Sequence, residues 1–523
     1  MSDSQALPSA AESLAPARPF GAVLTANAVL ALLTALTLLL HFFAIRHYGF
    51  FRDELYYMAC GRHLAWGYVD QPPLIAGAAW LSARLFGNSL VAIRIFPALA
   101  GAATVLLTGI FARSVRGGLF AQSLAATAVL FAPACLAFTG FFSMNAFEPL
   151  FWLGCAWLVL LILDGGSPRL WLLFGLLAGV GLENKHTMLV FGFALLCGLL
   201  LAGHFKMFQN PWFWLAGLIA FLIFLPNLLW EIAHGIPQFE VVRNAQLYKN
   251  EPIGPGRFLL DQTLFLQPLT YVLCLGGIAW AFLSREGKRF SFLGWSYLIV
   301  LALFIVLHGK SYYVLPVYPA LVALGAVAFE RFISNSFLRT SFVCLIVMGG
   351  LIALPLGLPV LPIDTFLRYL KVVPYGNVKT ERDATVALPQ LYADMFGWQN
   401  LAESVAQVYR SIPAEQRANC AIAAGNYGEA GAIDYYGPAL GLPPAISGHN
   451  SYYDWGPRNY SGECVIIVGE RSNELIQYFG DVHLAATTSN PYGMPTERAV
   501  PIYICRKPVA PLAQLWPHFR LII

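Results

Sequence analysis

The stretch GAVLTANAVLALLTALTLLLHFFAI (Gly21–Ile45), followed six residues later by RDELYY (Arg52–Tyr57), decides how this chain is read. An uncharged run of that length forms a helix long enough to cross a hydrocarbon core of about 30 Å at about 1.5 Å per residue. The tail before it, up to Pro19, is small and polar, and the run exceeds the roughly 7–15 residues of a cleavable signal core. It reads as a retained first transmembrane helix, and the adjacent carboxylates Asp53 and Glu54 stand at its exit.

Composition agrees. The chain has 523 residues, 58% of them hydrophobic and only 11% charged, with a mean hydropathy of +0.62. That is more apolar surface than soluble cores can hide, so a polytopic helical membrane protein is expected. Spanning-length apolar runs recur near 21–46, 90–112, 119–140, 147–163, 170–183, 187–203, 211–230, 263–283, 292–308, 312–330 and 341–361, which predicts about eleven helices. With the N-terminus inside, the cytoplasmic loops carry Arg113 and Arg116, Arg169, Lys206, Arg285 with Lys288 and Arg289, and Arg331 with Arg339. This positive-inside pattern places Tyr48–Asn88, Thr139–Glu148 and Glu231–Asp261 outside.

The expected organisation is a cytoplasmic tail (1–20), a transmembrane catalytic domain (21–361) with an extracytoplasmic loop at 47–88, and an extracytoplasmic α/β domain (362–523). The last is polar and turn-rich, with β-like runs at Cys420–Ala424, Cys464–Val468, His483–Thr487 and Pro501–Cys505 and a helical pattern at Trp398–Tyr409. The net charge of +4 is scattered, with no basic patch to follow a phosphate backbone, which argues against nucleic acid. Nine cysteines contain no CxxC, so neither metal nor redox chemistry is signalled.

The few charges left are informative. A carboxylate at the membrane surface can take a proton from an acceptor hydroxyl, and low local dielectric raises its pKa toward a useful range. Asp53 and Glu54 fit that role, and an interfacial helix cap paired with Arg52 fits them equally. Farther along the loop, GYVDQPPL (Gly67–Leu74) pins Asp70 at a chain reversal, where it either faces Asp53 or caps the next helix. Glu148, before Pro149 in the second outside loop, is an acid or a dipole-stabilised cap. Basic residues outside are anomalous: Arg52, Lys185 in GLENKHT (Gly181–Thr187) and Lys310 in HGKSYY (His308–Tyr313). Each could snorkel to lipid headgroups or hold a phosphate.

The order of long first helix, RDELYY, GYVDQPPL, many helices and an outside tail resembles the GT-C membrane glycosyltransferases of the protein O-mannosyltransferase type, family 39. It also resembles the related bacterial transferases that put aminoarabinose on lipid A. The likeness covers about residues 20–350 in architecture, while its specific motifs sit in a few short loops. It implies a catalytic aspartate at Asp53, with Glu54, Asp70 and Glu148 as further catalytic candidates. In the lipid A branch a lysine before the PPL motif meets the donor phosphate, and here Gln71 stands in its place. Donor phosphate binding therefore passes to Lys310, Lys185 and Arg52. Tyr56, Tyr57, Tyr312 and Tyr313, together with His449 and Asn450 in the aromatic tail loop, are the substrate-binding candidates.

The implied activity is an inverting transfer of a monosaccharide from a polyprenyl-phosphate donor to an acceptor hydroxyl on protein, lipid A or another envelope glycan. It implies an enzyme of the bacterial inner membrane, N-terminus cytoplasmic and C-terminal domain periplasmic. No cofactor is required, and a divalent metal between carboxylate and phosphate is compatible with the pattern. The competing expectation is a transporter or lipid flippase with a periplasmic domain. That reading calls for ionisable residues mid-helix and repeated halves, whereas here the carboxylates gather in outside loops.

Overall fold

A computed structural model describes residues 20–373 and 388–523, and the expected cytoplasmic tail falls outside them except for its last residue. After α1 (Phe20–Ala44), the first expected loop folds into two short helices, α2 (Arg52–Arg62) and α3 (Leu74–Phe86), packed on each other as a jaw. Then come α4 (Leu90–Ser114), α5 (Leu119–Leu130), α6 (Pro133–Thr139), α7 (Met144–Leu163), α8 (Leu170–Asn184), α9 (Thr187–Leu201) and α10 (Pro211–Ala233). The membrane body continues through the short α11 (Pro237–Asn244) to α12 (Pro255–Leu266), α13 (Pro268–Leu283), α14 (Ser291–Val306), α15 (Tyr318–Phe332) and α16 (Ser336–Gly357).

Among the described residues seven helices are long and apolar enough to cross a membrane, or up to nine if each bent pair counts as one crossing. The sequence expectation of about eleven is higher because α8 and α9 have only fifteen residues each, about 22 Å at ~1.5 Å per residue. The bent pairs are α5 with α6, at 62°, and α12 with α13, at 108°. Pro133 and Pro268 open the second member of each pair. A proline there lacks the N–H that would continue the ladder and its ring clashes with the preceding turn, so the helix breaks.

The core of the body forms around α15, buried from Tyr318 through Ala328 and packed on α13 and α5. Gly325 is required there, since a Cβ would collide with the backbone of Leu273. By contrast α1, α10 and α16 leave most of their surface uncovered. Their apolar side chains there suit lipid.

Beyond α17 (Ile363–Val372) the chain builds an α/β domain from α18 (Gln390–Ala393), α19 (Trp398–Ser411), α20 (Ala414–Arg417), β1 (Cys420–Ala424), α21 (Tyr427–Leu440), β2 (Ile446–Ser447), β3 (Cys464–Val468), β4 (Phe479–Thr487) and β5 (Pro501–Pro508). The sheet order is β2-β1-β3-β5-β4, with β2, β1 and β3 parallel and β5 and β4 antiparallel. The two-residue β2 carries no recognisable sequence signal. A single apolar cluster joins Leu55, Tyr56 and Ile75 of the jaw to Val405 and Ile433 of the covering helices and to Ile422 and Ile466 of the sheet. The C-terminal domain, the outer domain of the sequence expectation, is thus packed onto the jaw through a common core.

Cys420 and Cys464, directly opposite at the start of β1 and β3, form a disulfide. Their separation of 44 residues and the lack of a motif made this pairing invisible in the sequence. Alkylation of the denatured, unreduced protein should label seven of its nine cysteines, read by intact mass. Cys420→Ser should lower outer-domain stability by about 2–4 kcal/mol, read by thermal unfolding.

Candidate active site

The site starts with the N-terminal turn of α2. Phe51 is the N-cap, and its N–H donates to Glu54 Oε2 at 2.8 Å. Successive helix residues point about 100° apart, so Asp53 and Glu54 cannot face the same way. Glu54 turns inward and is fully buried against Arg94 of α4. Arg94 donates to both its oxygens, Nε to Oε1 at 2.9 Å and Nη2 to Oε2 at 2.8 Å, and the Phe142 N–H adds 2.8 Å to Oε1. Arg94 Nη2 also reaches the Gly49 carbonyl at 2.8 Å. Glu54, a catalytic candidate by sequence, thus has its oxygens engaged inside the protein, where it anchors the helix that carries Asp53.

Asp53 faces the other way. Its Oδ1 accepts from the Tyr427 hydroxyl at 2.9 Å and lies 3.7 Å from Arg52 Nε. It lines a cavity of about 290 Å³ shared with Arg52, Asn145, Lys249, Lys310 and Tyr312. The remaining walls are apolar, from Pro133, Phe138 and Phe141 around the α6 break, Leu264 and Phe265 of α12, Leu315, and Leu356 of α16. The lining thus combines a carboxylate and three cationic side chains with a larger apolar share.

Asp70 sits at the reversal between α2 and α3, where Tyr68 and Gln71 pair across the turn. Its Oδ1 accepts from the Tyr56 hydroxyl at 2.8 Å. Burial pushes its carboxyl up to about 6; the Tyr56 hydrogen bond opposes that push and the charge of Asp53 adds to it. Asp70 thus belongs to the neighbourhood of Asp53, but it does not line the cavity. Gln71 is fully buried in the jaw, its Nε2 3.5 Å from Cys60 Sγ. A lysine in that orientation would be a buried charge facing a thiol.

Glu148 and Lys185, expected as an acid and a phosphate ligand, are brought to each other at 3.1 Å. Lys185 also donates to Asn145 Oδ1 at 2.7 Å and lies 4.4 Å from the centre of the Tyr313 ring, while the Thr187 hydroxyl donates to Glu148. The pair cancels its own charge at the start of α7 and the end of α8, and neither member lines the cavity. Lys310 and Arg52 do line it. Arg52 additionally reaches Asp394 at 3.6 Å and Glu497 at 4.0 Å in the outer domain.

Lys249 is the cavity residue that sequence reasoning missed. It follows α11 in the outside segment 231–261, and the same charge asymmetry that flagged Lys310 could have flagged it. Of the tyrosines, Tyr312 is at the cavity, Tyr313 covers Lys185, Tyr56 serves Asp70, and Tyr57 is buried edge-on against Phe142. His449 and Asn450, expected to bind substrate, are buried in the outer domain. Asn450 exchanges hydrogen bonds with Ile523, at 3.2 Å to its carbonyl and 3.1 Å from its N–H. His449 accepts from the Tyr427 N–H at 3.4 Å, and burial, with the charges of Lys249 and Arg52, pushes its ring down to about 3. Among the described residues no three His, Cys, Asp or Glu side chains converge as metal ligands.

Residues 70–230 match the model of the dolichyl-phosphate-mannose-protein mannosyltransferase family. No match emerges among curated protein sequences. Among solved structures, ArnT from Cupriavidus metallidurans in the apo state superposes with a TM-score of 0.60 at 14% identity, over 92% of this chain and 98% of that one. ArnT from the same organism bound to undecaprenyl phosphate gives 0.60 at 15% identity, with the same coverage. The chain therefore has the GT-C fold of an integral membrane protein.

Two outcomes test this geometry. Glu54→Gln should cost about 3–5 kcal/mol by leaving Arg94 buried without its counter-charge, and Glu54→Gln with Arg94→Met should recover part of that loss, read by thermal unfolding in detergent. Because the folded-state pKa of Asp70 is raised, the folded protein binds the extra proton. Its contribution to stability should fall as pH rises from about 4 to about 6, and Asp70→Asn should flatten that part of the stability profile.

Proposed function

We propose that this chain is a membrane glycosyltransferase that moves a monosaccharide from a polyprenyl-phosphate donor to an acceptor hydroxyl on the outer face of a bacterial inner membrane. The observation that carries the reading is the cavity itself. Asp53, Arg52, Lys249 and Lys310 line it together with apolar walls from the α6 break and α12. A lipid phosphate matches that combination, an anionic head on a long hydrocarbon. The ArnT structure bound to undecaprenyl phosphate and the mannosyltransferase model match support that choice of donor.

In this scheme the polyprenyl chain lies in the apolar slot and the cations hold the phosphate. Asp53 takes the proton of the acceptor hydroxyl, whose oxygen attacks the anomeric carbon from the face opposite the phosphate. The bond between that carbon and the phosphate oxygen breaks, and the electron pair leaves on polyprenyl phosphate, where Lys310 and Lys249 stabilise the added charge. One displacement inverts the anomeric configuration. The basic residues of the inside loops support a cytoplasmic N-terminus, and the Cys420–Cys464 disulfide supports an oxidising compartment for the outer domain.

Mass spectrometry of envelope lipids and proteins, with and without the gene, should show one missing sugar mass. Re-expressed wild type should restore it, and Asp53→Asn at equal abundance should restore less than about a hundredth. Full restoration by Asp53→Asn would overturn the reading. Lys310→Gln should weaken retention of undecaprenyl phosphate by purified protein about 10- to 100-fold, the loss expected for one charge-assisted hydrogen bond.

A further inference from the structure

We propose that the outer α/β domain is a working part of the same active site, with Tyr427 as a positioning residue for Asp53. This rests on the reading of Asp53 as the base. Two side chains of the domain reach the jaw beside its carboxylates, Tyr427 directly and Ser451 by way of Tyr56. The Tyr427 hydroxyl donates to Asp53 Oδ1 at 2.9 Å. The Ser451 hydroxyl lies 2.9 Å from the Tyr56 hydroxyl, which donates to Asp70 at 2.8 Å. Ser451 Oγ also accepts from the Val69 N–H at 3.2 Å, fixing the turn next to Asp70.

The local sequence explains how Tyr427 reaches so far. Asn426 caps α21, its side-chain oxygen accepting from the N–H groups of Gly428 and Glu429, so Tyr427 is the first residue of the helix and projects from its end. Gly428 and Gly431 line one side of α21, three residues apart. A Cβ on Gly428 would strike the Arg52 side chain, and one on Gly431 would press on the Leu55 backbone. The absence of those atoms lets α21 lie almost against the backbone of α2. The segment Gly425–Gly428 thus supplies both the helix cap and the close approach.

The ring of Tyr427 has little freedom. It stacks on Tyr56 at 4.7 Å between centroids, lies 4.6 Å from the His449 ring and carries the Arg52 guanidinium at 5.7 Å. The phenol therefore meets the carboxylate at a set point. The Tyr427 and Arg52 contacts both fall on Oδ1, which assigns acceptance of the acceptor's proton to Oδ2. Without the phenol, Asp53 keeps its charge and its place on α2 but loses the bond that fixes the rotation of its carboxylate. Misorientation of a reacting group by about 1 Å costs on the order of 10²-fold in rate.

Tyr427→Phe removes only the hydroxyl. It should restore less than about a tenth of the wild-type envelope product in the deletion strain, while the purified variant binds undecaprenyl phosphate within about twofold of wild type and unfolds at the same temperature. The control is Arg62→Gln, which removes a 2.9 Å hydrogen bond from α2 to the Asp434 carbonyl of α21 and should leave product unchanged. Full product from Tyr427→Phe, with Asp53→Asn inactive, overturns this inference alone. An equal loss in Arg62→Gln also overturns it, by assigning the effect to helix docking. Activity in Asp53→Asn overturns the reading of the base and this inference with it.

Discussion

Everything in the site depends on one buried ion pair, Glu54 with Arg94. A carboxylate and a guanidinium with almost no exposure are each costly to take out of water, and the cost is offset only where every lone pair finds a donor. Here it is met by a two-pronged contact and two backbone N–H groups. The partners come from the segment that follows α1, the first turn of α2, the N-terminal part of α4 and the loop before α7. These four segments are thereby fixed at one point, and the direction of Asp53 follows from the helix geometry next door. Of two adjacent acids, one is spent on structure so that the other is aimed.

A second constraint shapes the cavity. Two helix pairs are broken at Pro133 and Pro268, and around the first break and along α12 lie the apolar side chains that wall the slot. Irregular backbone at membrane depth is tolerated only where protein or a cavity covers it. The breaks and the slot thus belong together, and the slot's charged lining comes from Arg52, Lys249 and Lys310.

Much of this was legible in the sequence. Apolar runs found the helices because the bilayer imposes a length, and charge asymmetry grouped the jaw and the tail on one side, in keeping with the core they share. The β-like runs at Cys420 and Cys464 match β1 and β3. What escaped was pairing. Glu54 finds Arg94 across 40 residues, and Asp53 finds Tyr427 across 374. Nothing local distinguishes an acid that meets an arginine from one that faces a cavity. Lys185 and Glu148 each stood alone in the sequence, and folding makes each the other's partner. His449 and Asn450 stood out as hydrogen-bonding groups in an aromatic loop, and what the loop could not show is their burial, with Asn450 bonded to Ile523 and His449 to the Tyr427 N–H.

The apolar cluster that runs from the jaw through α19 and α21 into the sheet has a consequence for how such a protein can vary. A topology drawing divides the chain into a membrane body and a soluble appendage, and that line cuts through a core. An outer domain grafted from a relative would bring a foreign half of the cluster to a jaw that does not fit it. The unit that can be exchanged, or lost, is therefore jaw plus domain, two pieces written at opposite ends of the chain. Recombination at the boundary suggested by the drawing would break it, and change on either side has to be answered on the other.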